Sequence, residues 1–423
     1  MQINRIDSAR AAMIVAASRD ISRAEFVGLV AALMAVDALA IDIMLPALPN
    51  IGDALLVANA NDRSLILTAF LLGFGLPQLV FGPLTDRFGR RTPILIGLAI
   101  YAFTALSAPL APSFAVLLGL RFVQGVAAAS VRVGLLSAIR DRYSGAAMAD
   151  IMSLVLAIFL LVPIFMPGIG QVILLVGSWH LVFVAMGLTA AVITFWTLVR
   201  LPETLDVDRR RALDFRRVAE GFAMVFTNRI AFWYGLSGTF LFVGIYGFFV
   251  NTSQPIYVGV YDLGALFPLA FGGTAIVAAI ASSLAPLIVD RRGIHRAAHG
   301  AAIISTATCA LWLALSVAGF MPFWLFIAMV AIFAVFVVIL MSTTTSLAMQ
   351  PLGDVAGTAS AVFGAMQTVG GAVLGYFVAQ AFNGTVVPTV GGLLIFDLCV
   401  LMCFLIAEKG RLLQAPVSIP AVV

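Results

Sequence analysis

The chain has 423 residues, of which 62% are hydrophobic and only 10% charged, and its mean hydropathy is +1.10. No soluble domain of that length can bury so much apolar surface, so composition excludes a soluble enzyme or binding module and requires a polytopic membrane protein. The net charge of +4 comes from 23 arginines and one lysine, Lys409, so the placement of the arginines decides the topology.

Residues 1–24 hold Arg5, Arg10, Arg19 and Arg23 with only Ala11–Ala17 apolar between them. Seven mostly small residues make a poor signal-peptide core, so this stretch reads as a cytoplasmic tail or an interfacial helix. Twelve apolar runs follow, each long enough to span a bilayer as a helix. The first six cover roughly 25–49, 64–84, 92–111, 114–139, 149–175 and 179–200. The second six cover roughly 228–252, 263–289, 297–318, 322–349, 356–383 and 387–408. None alternates with a period of two, which excludes a β-barrel. Residues 201–227 form the longest polar stretch and act as a linker between a bundle over 25–200 and a bundle over 228–409, with a tail at 410–423.

Of the 24 basic residues, 21 fall on one side when both termini are placed in the cytoplasm, and the loops of the other side keep only Arg63. By the positive-inside rule both ends are therefore cytoplasmic. The string GPLTDRFGRR over Gly82–Arg91 packs four charges between two apolar runs. Its arginines, Arg87, Arg90 and Arg91, would serve any basic topogenic loop. Gly82 permits a close backbone approach, Gly89 sits in the turn, and Asp86 can face a helix N-terminus. Ala285–Arg296, APLIVDRRGIHR, is a degenerate echo of that string about 204 residues later, and Pro46 near the end of helix 1 is matched by Pro255 near the end of helix 7. Two parallel six-helix repeats around a central cavity form the architecture implied by this symmetry.

Five ionisable residues fall inside the runs: Asp37 and Asp42 in helix 1, Arg121 and Arg132 in helix 4, and Asp397 in helix 12. Charges within hydrocarbon cost at least a few kcal/mol each, which makes all five functional candidates. At 1.5 Å per residue, Asp42 lies ~9 Å and Arg121 ~10 Å from the outer ends of their helices, so the two are nearly level and can pair. A buried pair of this kind can also serve helix packing alone. Arg121 and Arg132, eleven residues apart, share a face that should point at the cavity. Arg132 is too deep to reach water easily, and Asp37 is its nearest counter-charge. Asp397 has no evident partner and reads as structural. Gln124 is a polar neighbour of Arg121, and Phe74, Tyr246 and Asn251 complete the expected substrate lining. Pro163, Pro167, Gly168 and Gly170 in helix 5 demand a bend or a close crossing. His295 and His299 stand at i, i+4 in a basic stretch with no carboxylate or thiol nearby in sequence, which reads as a solvated face and not a metal site. Cys309, Cys399 and Cys403 all lie in apolar runs, which excludes a disulfide framework. No HExxH, Walker or GxSxG string is present, so no metal or other cofactor is expected and the chain does not read as an enzyme.

These strings together resemble the twelve-helix drug:proton antiporters of the major facilitator superfamily, and in particular the Bcr/CflA branch of bicyclomycin and chloramphenicol/florfenicol exporters. The resemblance rests on AIDIMLPALP at 40–49, GPLTDRFGRR, RFVQG at 121–125, the proline–glycine helix 5 and LPET at 201–204. It is specific over about 25–205 and mostly topological beyond. The resemblance implies an all-α fold of two six-helix bundles in a bacterial inner membrane, exporting a small molecule against proton influx, as a monomer and without nucleic acid. It assigns proton and substrate binding to Asp42 with Arg121 beside it, and gating to Asp86 and Arg90. The sequence departs from the branch at Gly170-Gln171, where a Gly-Gly pair is usual, and at Leu136, where an arginine is common. Arg132 and Asp37 are additions. A cavity arginine points to an anionic or strongly polar substrate, including a physiological metabolite such as a siderophore or organic acid.

Overall fold

In a computed structural model, residues 21–206, 208, 210 and 215–413 are described; most of both terminal tails and part of the linker lie outside them. Helix α1 (Arg23–Asp42) starts at Ser22, whose hydroxyl accepts the Glu25 N–H at 3.2 Å and so satisfies one orphan donor of the first turn. The sequence predicts a helix to residue 49, but α1 stops at Asp42. Pro46 and Pro49 carry no N–H and disfavour helical backbone in the residues before them. The chain continues through a 3-10 turn (Leu45–Ala47) into the short α2 (Leu48–Ala54), and Arg23–Ala54 remains one apolar span.

The second predicted helix is broken in two. Helices α3 (Leu65–Gly75) and α4 (Gln78–Phe88) are bent by 45° where Pro77 interrupts the hydrogen-bond ladder. Helices α5 (Arg91–Ser107), α6 (Phe114–Arg142), α7 (Gly145–Val176) and α8 (His180–Arg200) complete the first half. Helix α9 (Phe215–Thr227) lies in the linker. Helix α10 (Arg229–Val243) runs on into π-helical backbone over Gly244–Thr252 and Pro255–Val260, followed by α11 (Phe267–Arg292), α12 (Ile294–Val317), α13 (Phe323–Met349), α14 (Ala356–Gln380) and α15 (Val387–Ala407). No strand occurs among the described residues. Among the described residues ten helices are long and apolar enough to cross a membrane, or eleven with the bent α3–α4 pair, and the fifth predicted run falls on α7, which holds the shorter apolar segment Leu161–Val176.

The two halves repeat one packing scheme. In the first, α1 packs on α7 and α8, and α5 on α6 and α8; in the second, α10 packs on α14 and α15, and α12 on α13 and α15. Two seams join the halves, α3 and α4 against α14, and α7 against α11. At the end opposite the basic loops, Asn61 Nδ2 donates to the carbonyls of Gln380 (3.1 Å) and Phe382 (2.9 Å), and Gln380 Nε2 donates to Asp62 Oδ1 at 2.9 Å. Large apolar side chains such as Phe103, Leu175 and Phe195 point outward, as a lipid-facing surface requires.

Glycine sets the closest helix crossings. A Cβ on Gly125 of α6 would overlap the Phe70 carbonyl of α3, and one on Gly170 of α7 would overlap the Ile43 carbonyl just after α1. The proline–glycine segment of α7 thus provides the close crossing expected of it while the helix stays a single element. Its contact holds the end of α1, and with it Asp42, against α7.

Candidate substrate and proton site

The buried charges of the first half gather around α1. Arg132 Nη1 of α6 meets Asp37 Oδ2 at 2.6 Å. Its guanidinium lies 5.8 Å from the Phe74 ring of α3. Tyr246, on the π-helical stretch of the other half, is close enough to feel the charges of both partners. The Arg132 side chain keeps 32% of its surface exposed, against 10% for Asp37. Asp37 Oδ1 is buried and has no hydrogen-bond partner among the described residues.

Arg121 behaves differently. It is fully buried, and its guanidinium donates to the Ala40 carbonyl (Nη2, 2.8 Å), to Gln124 Oε1 (Nη1, 2.6 Å) and to the Ile66 carbonyl (Nε, 3.4 Å), while stacking 4.6 Å from the Phe70 ring. The Asp42–Arg121 pair expected from helix depth is therefore not formed. Because α1 ends at Asp42, its last carbonyls are free of intrahelical partners, and the arginine takes the one at Ala40. Asp42 is buried and makes no ion pair or hydrogen bond among the described residues. Gln124 uses its oxygen on Arg121 and leaves Nε2 buried without a partner. Asn251 is also buried, with neither amide atom paired, but no contact brings it to the Asp37–Arg132 pair.

The Gly82–Arg91 string folds into a clasp at the basic end of the first half. Arg90 is almost buried and donates Nε–H to Asp141 Oδ2 at 2.8 Å, and Nη1–H to Thr85 Oγ1 at 3.0 Å and Asp86 Oδ1 at 2.5 Å. Burial works against its charge, but the hydrogen bonds and charges of Asp141 and Asp86 more than offset that and hold it above the ordinary arginine range. Glu203, from the LPET string, accepts the backbone N–H groups of Arg90 (2.8 Å), Arg91 (3.3 Å), Thr204 (3.0 Å) and Leu205 (3.1 Å). Gly89 makes this turn at φ 87°, and a Cβ there would meet the Glu203 carboxylate. Arg91 also reaches the Leu198 carbonyl at 2.6 Å, and Arg87 is exposed beside Phe88. Gly82 does not serve the close approach expected of it, since a Cβ there would face open space. Asp141 and Glu203 were not singled out in the sequence. Their signals are the acid between Arg140 and Arg142 at the end of α6 and the LPET string directly after α8.

Two further expectations are corrected. Asp397 is not isolated: Ser305 Oγ donates to its Oδ2 at 2.5 Å, and Cys309 Sγ lies 3.5 Å away, because α12 packs on α15 at that level. His295 and His299 lie on α12 itself and not on a solvated face. Glu408 stands beside them, and the three potential ligand atoms lie within 4.8 Å of one another. The Leu413 N–H donates to His299 Nδ1 at 3.1 Å, so Nε2 carries the ring proton and donates to Tyr234 Oη at 3.0 Å, which in turn donates to Glu408 Oε1 at 2.8 Å. His299 thus enters a closed hydrogen-bond chain as a donor, and both ring nitrogens are engaged.

A helical membrane protein built of two like-packed bundles, with arginines and carboxylates buried at the seam-facing side of one, has the construction of a secondary transporter. The chain belongs to the Major Facilitator Superfamily, whose sequence profile matches residues 30–375. It is 29% identical over 352 residues to a bicyclomycin resistance protein homolog of Haemophilus influenzae, covering 82% of this chain and 87% of that protein. It is also 29% identical over 357 residues to a chloramphenicol resistance protein of Pseudomonas aeruginosa, covering 80% and 78%. Among solved structures, a D-xylose-proton symporter superposes with a TM-score of 0.72 at 13% identity, over 92% of this chain and 98% of that one, which speaks for the fold alone.

Proposed function

We propose that the protein is a proton-coupled exporter of small antibiotic-like molecules in a bacterial inner membrane, working by alternating access between its two bundles. The relatives named for bicyclomycin and chloramphenicol resistance support the substrate range. The observation that carries the proton assignment is the state of Asp42. It is buried at the end of α1 without a cation or donor in contact among the described residues, while Arg121 is held by carbonyls and Gln124, and Arg132 pairs with Asp37. Of the two buried carboxyls on α1, Asp42 can change charge without breaking an existing pair, which suits a group that must load and release a proton every cycle. Arg121 on α6 bonds the Ala40 carbonyl, two residues before Asp42 in α1, so its charge is held on the backbone and not on the carboxyl. The clasp around Arg90 and Glu203 ties the cytoplasmic ends of α4, α6 and α8 into one block, so that the first bundle moves as a unit.

Everted membrane vesicles test this reading. An acid-inside gradient should drive accumulation of radiolabelled chloramphenicol or bicyclomycin, and a protonophore should abolish it. Accumulation that survives the protonophore would rule out proton coupling. Transport of a physiological organic acid or zwitterion is the second reading, and the partly exposed Arg132 is the observation that favours it.

A further inference from the structure

In the Asp37–Arg132 pair opposite charges stand in contact, with Arg132 partly exposed and with residues from both halves nearby. Its surroundings are aromatic, with Phe74 from α3 next to the guanidinium and Tyr246 from the second half within range of both charges. Its carboxylate keeps Oδ1 buried and without a donor, although a buried carboxylate oxygen without a hydrogen bond is costly to keep. A ligand that supplies a donor there would remove that cost.

Charge accounting separates the possible ligands. A plain anion that takes Arg132 leaves Asp37 buried and unpaired unless Asp37 also takes a proton. Anion and proton would then travel together, opposite to the exchange carried out by an exporter driven by proton influx. A plain cation that takes Asp37 breaks the ion pair and adds an uncompensated positive charge beside the guanidinium. A ligand carrying both an ammonium and a carboxylate can enter between the two side chains, give each a partner of opposite sign, and leave the charge of the site unchanged. Asp42 then remains the only carboxyl of α1 whose protonation the cycle needs.

We propose that the Asp37–Arg132 pair is a recognition site for aromatic zwitterions, with the ammonium of the ligand on Asp37, its carboxylate on Arg132, and its ring against Phe74 and Tyr246. This assignment rests on the exporter reading for the direction of transport, but the binding preference follows from the pair alone.

Binding to the detergent-purified protein tests it without a gradient. The probes are the dipeptide phenylalanyl-phenylalanine, its N-acetyl derivative (an anion), its methyl ester (a cation), and the neutral N-acetyl methyl ester, each titrated by calorimetry at pH 7. The zwitterion is expected to bind at least tenfold more tightly than each of the other three. Arg132→Gln should bring it down to the level of the methyl ester, and Asp37→Asn to the level of the N-acetyl derivative. The wild-type series needs no variant to fold, so it decides the matter by itself. Equal or tighter binding of the anion, the cation or the neutral probe overturns the proposal, as does no binding by any of the four. Such a failure leaves chloramphenicol efflux untouched, whereas loss of proton-driven efflux with the zwitterion preference intact would count against the exporter reading only.

Discussion

Replacing Arg90 with alanine should damage the first bundle more than any single change to its partners. The side chain is 8% exposed and touches Asp141, whose own side chain is 21% exposed, and Asp86, which is 44% exposed. Breaking a buried ion pair by removing one member costs roughly 3–5 kcal/mol, while exposed pairs contribute roughly 0–1 kcal/mol. Because Asp141 retains some access to water, the lower end applies, and Arg90→Ala should cost about 3 kcal/mol. Asp86→Ala leaves Arg90 paired with Asp141 and removes only a half-exposed carboxylate, so it should cost less than about 1 kcal/mol. Tryptophan fluorescence during heating of the detergent-purified protein reads the difference. Arg90→Ala should lower the midpoint by several degrees, and Asp86→Ala should leave it near wild type. An Asp86→Ala effect as large as that of Arg90→Ala would refute the reasoning, because it would mean that the exposed half of the clasp carries its stability.

Other expectations follow from the same geometry. Asp86→Ala should slow turnover while leaving equilibrium binding of the transported compound within about twofold, and a tenfold loss of affinity would contradict a role confined to the moving block. Cysteines at Asp62 and Gln380, joined by a short bifunctional thiol reagent, should arrest transport by holding the two halves together at the end away from the basic loops. Undiminished transport by the cross-linked protein would show that this contact need not open. On α6, Gly125→Ala should cost about 2 kcal/mol or more by forcing α3 away from α6. Gly119→Ala on the same helix meets open space and should be neutral or stabilise by up to about 1 kcal/mol, and equal losses at the two sites would refute the packing account.

Helix rise and the direction of each span suffice to bring Arg132 and Asp37 together, because both lie well inside regular helices. The same arithmetic failed for Asp42 and Arg121. Counting side-chain charges ignores backbone acceptors, and the end of α1 exposes carbonyls that an arginine can use. Ending the helix at Asp42 was legible from Pro46 and Pro49, although the run of apolar residues hid it. Glu203 could not be placed by local pattern, since its four donors come from two segments more than a hundred residues apart. His299 misled for a related reason: the carboxylate that completes its network lies at the far end of the chain, on Glu408. The α3–α4 break, by contrast, follows from Pro77 alone.

The most direct test of the central claim is the collapse of a proton gradient in everted vesicles, followed with a pH-sensitive acridine dye as chloramphenicol is added. Vesicles containing the wild-type protein should dequench the dye on each addition, because every molecule taken up releases protons through Asp42. Vesicles with an equal amount of Asp42→Asn in the membrane should show no response. Dequenching by Asp42→Asn at the wild-type rate would place the proton on another group and contradict the account.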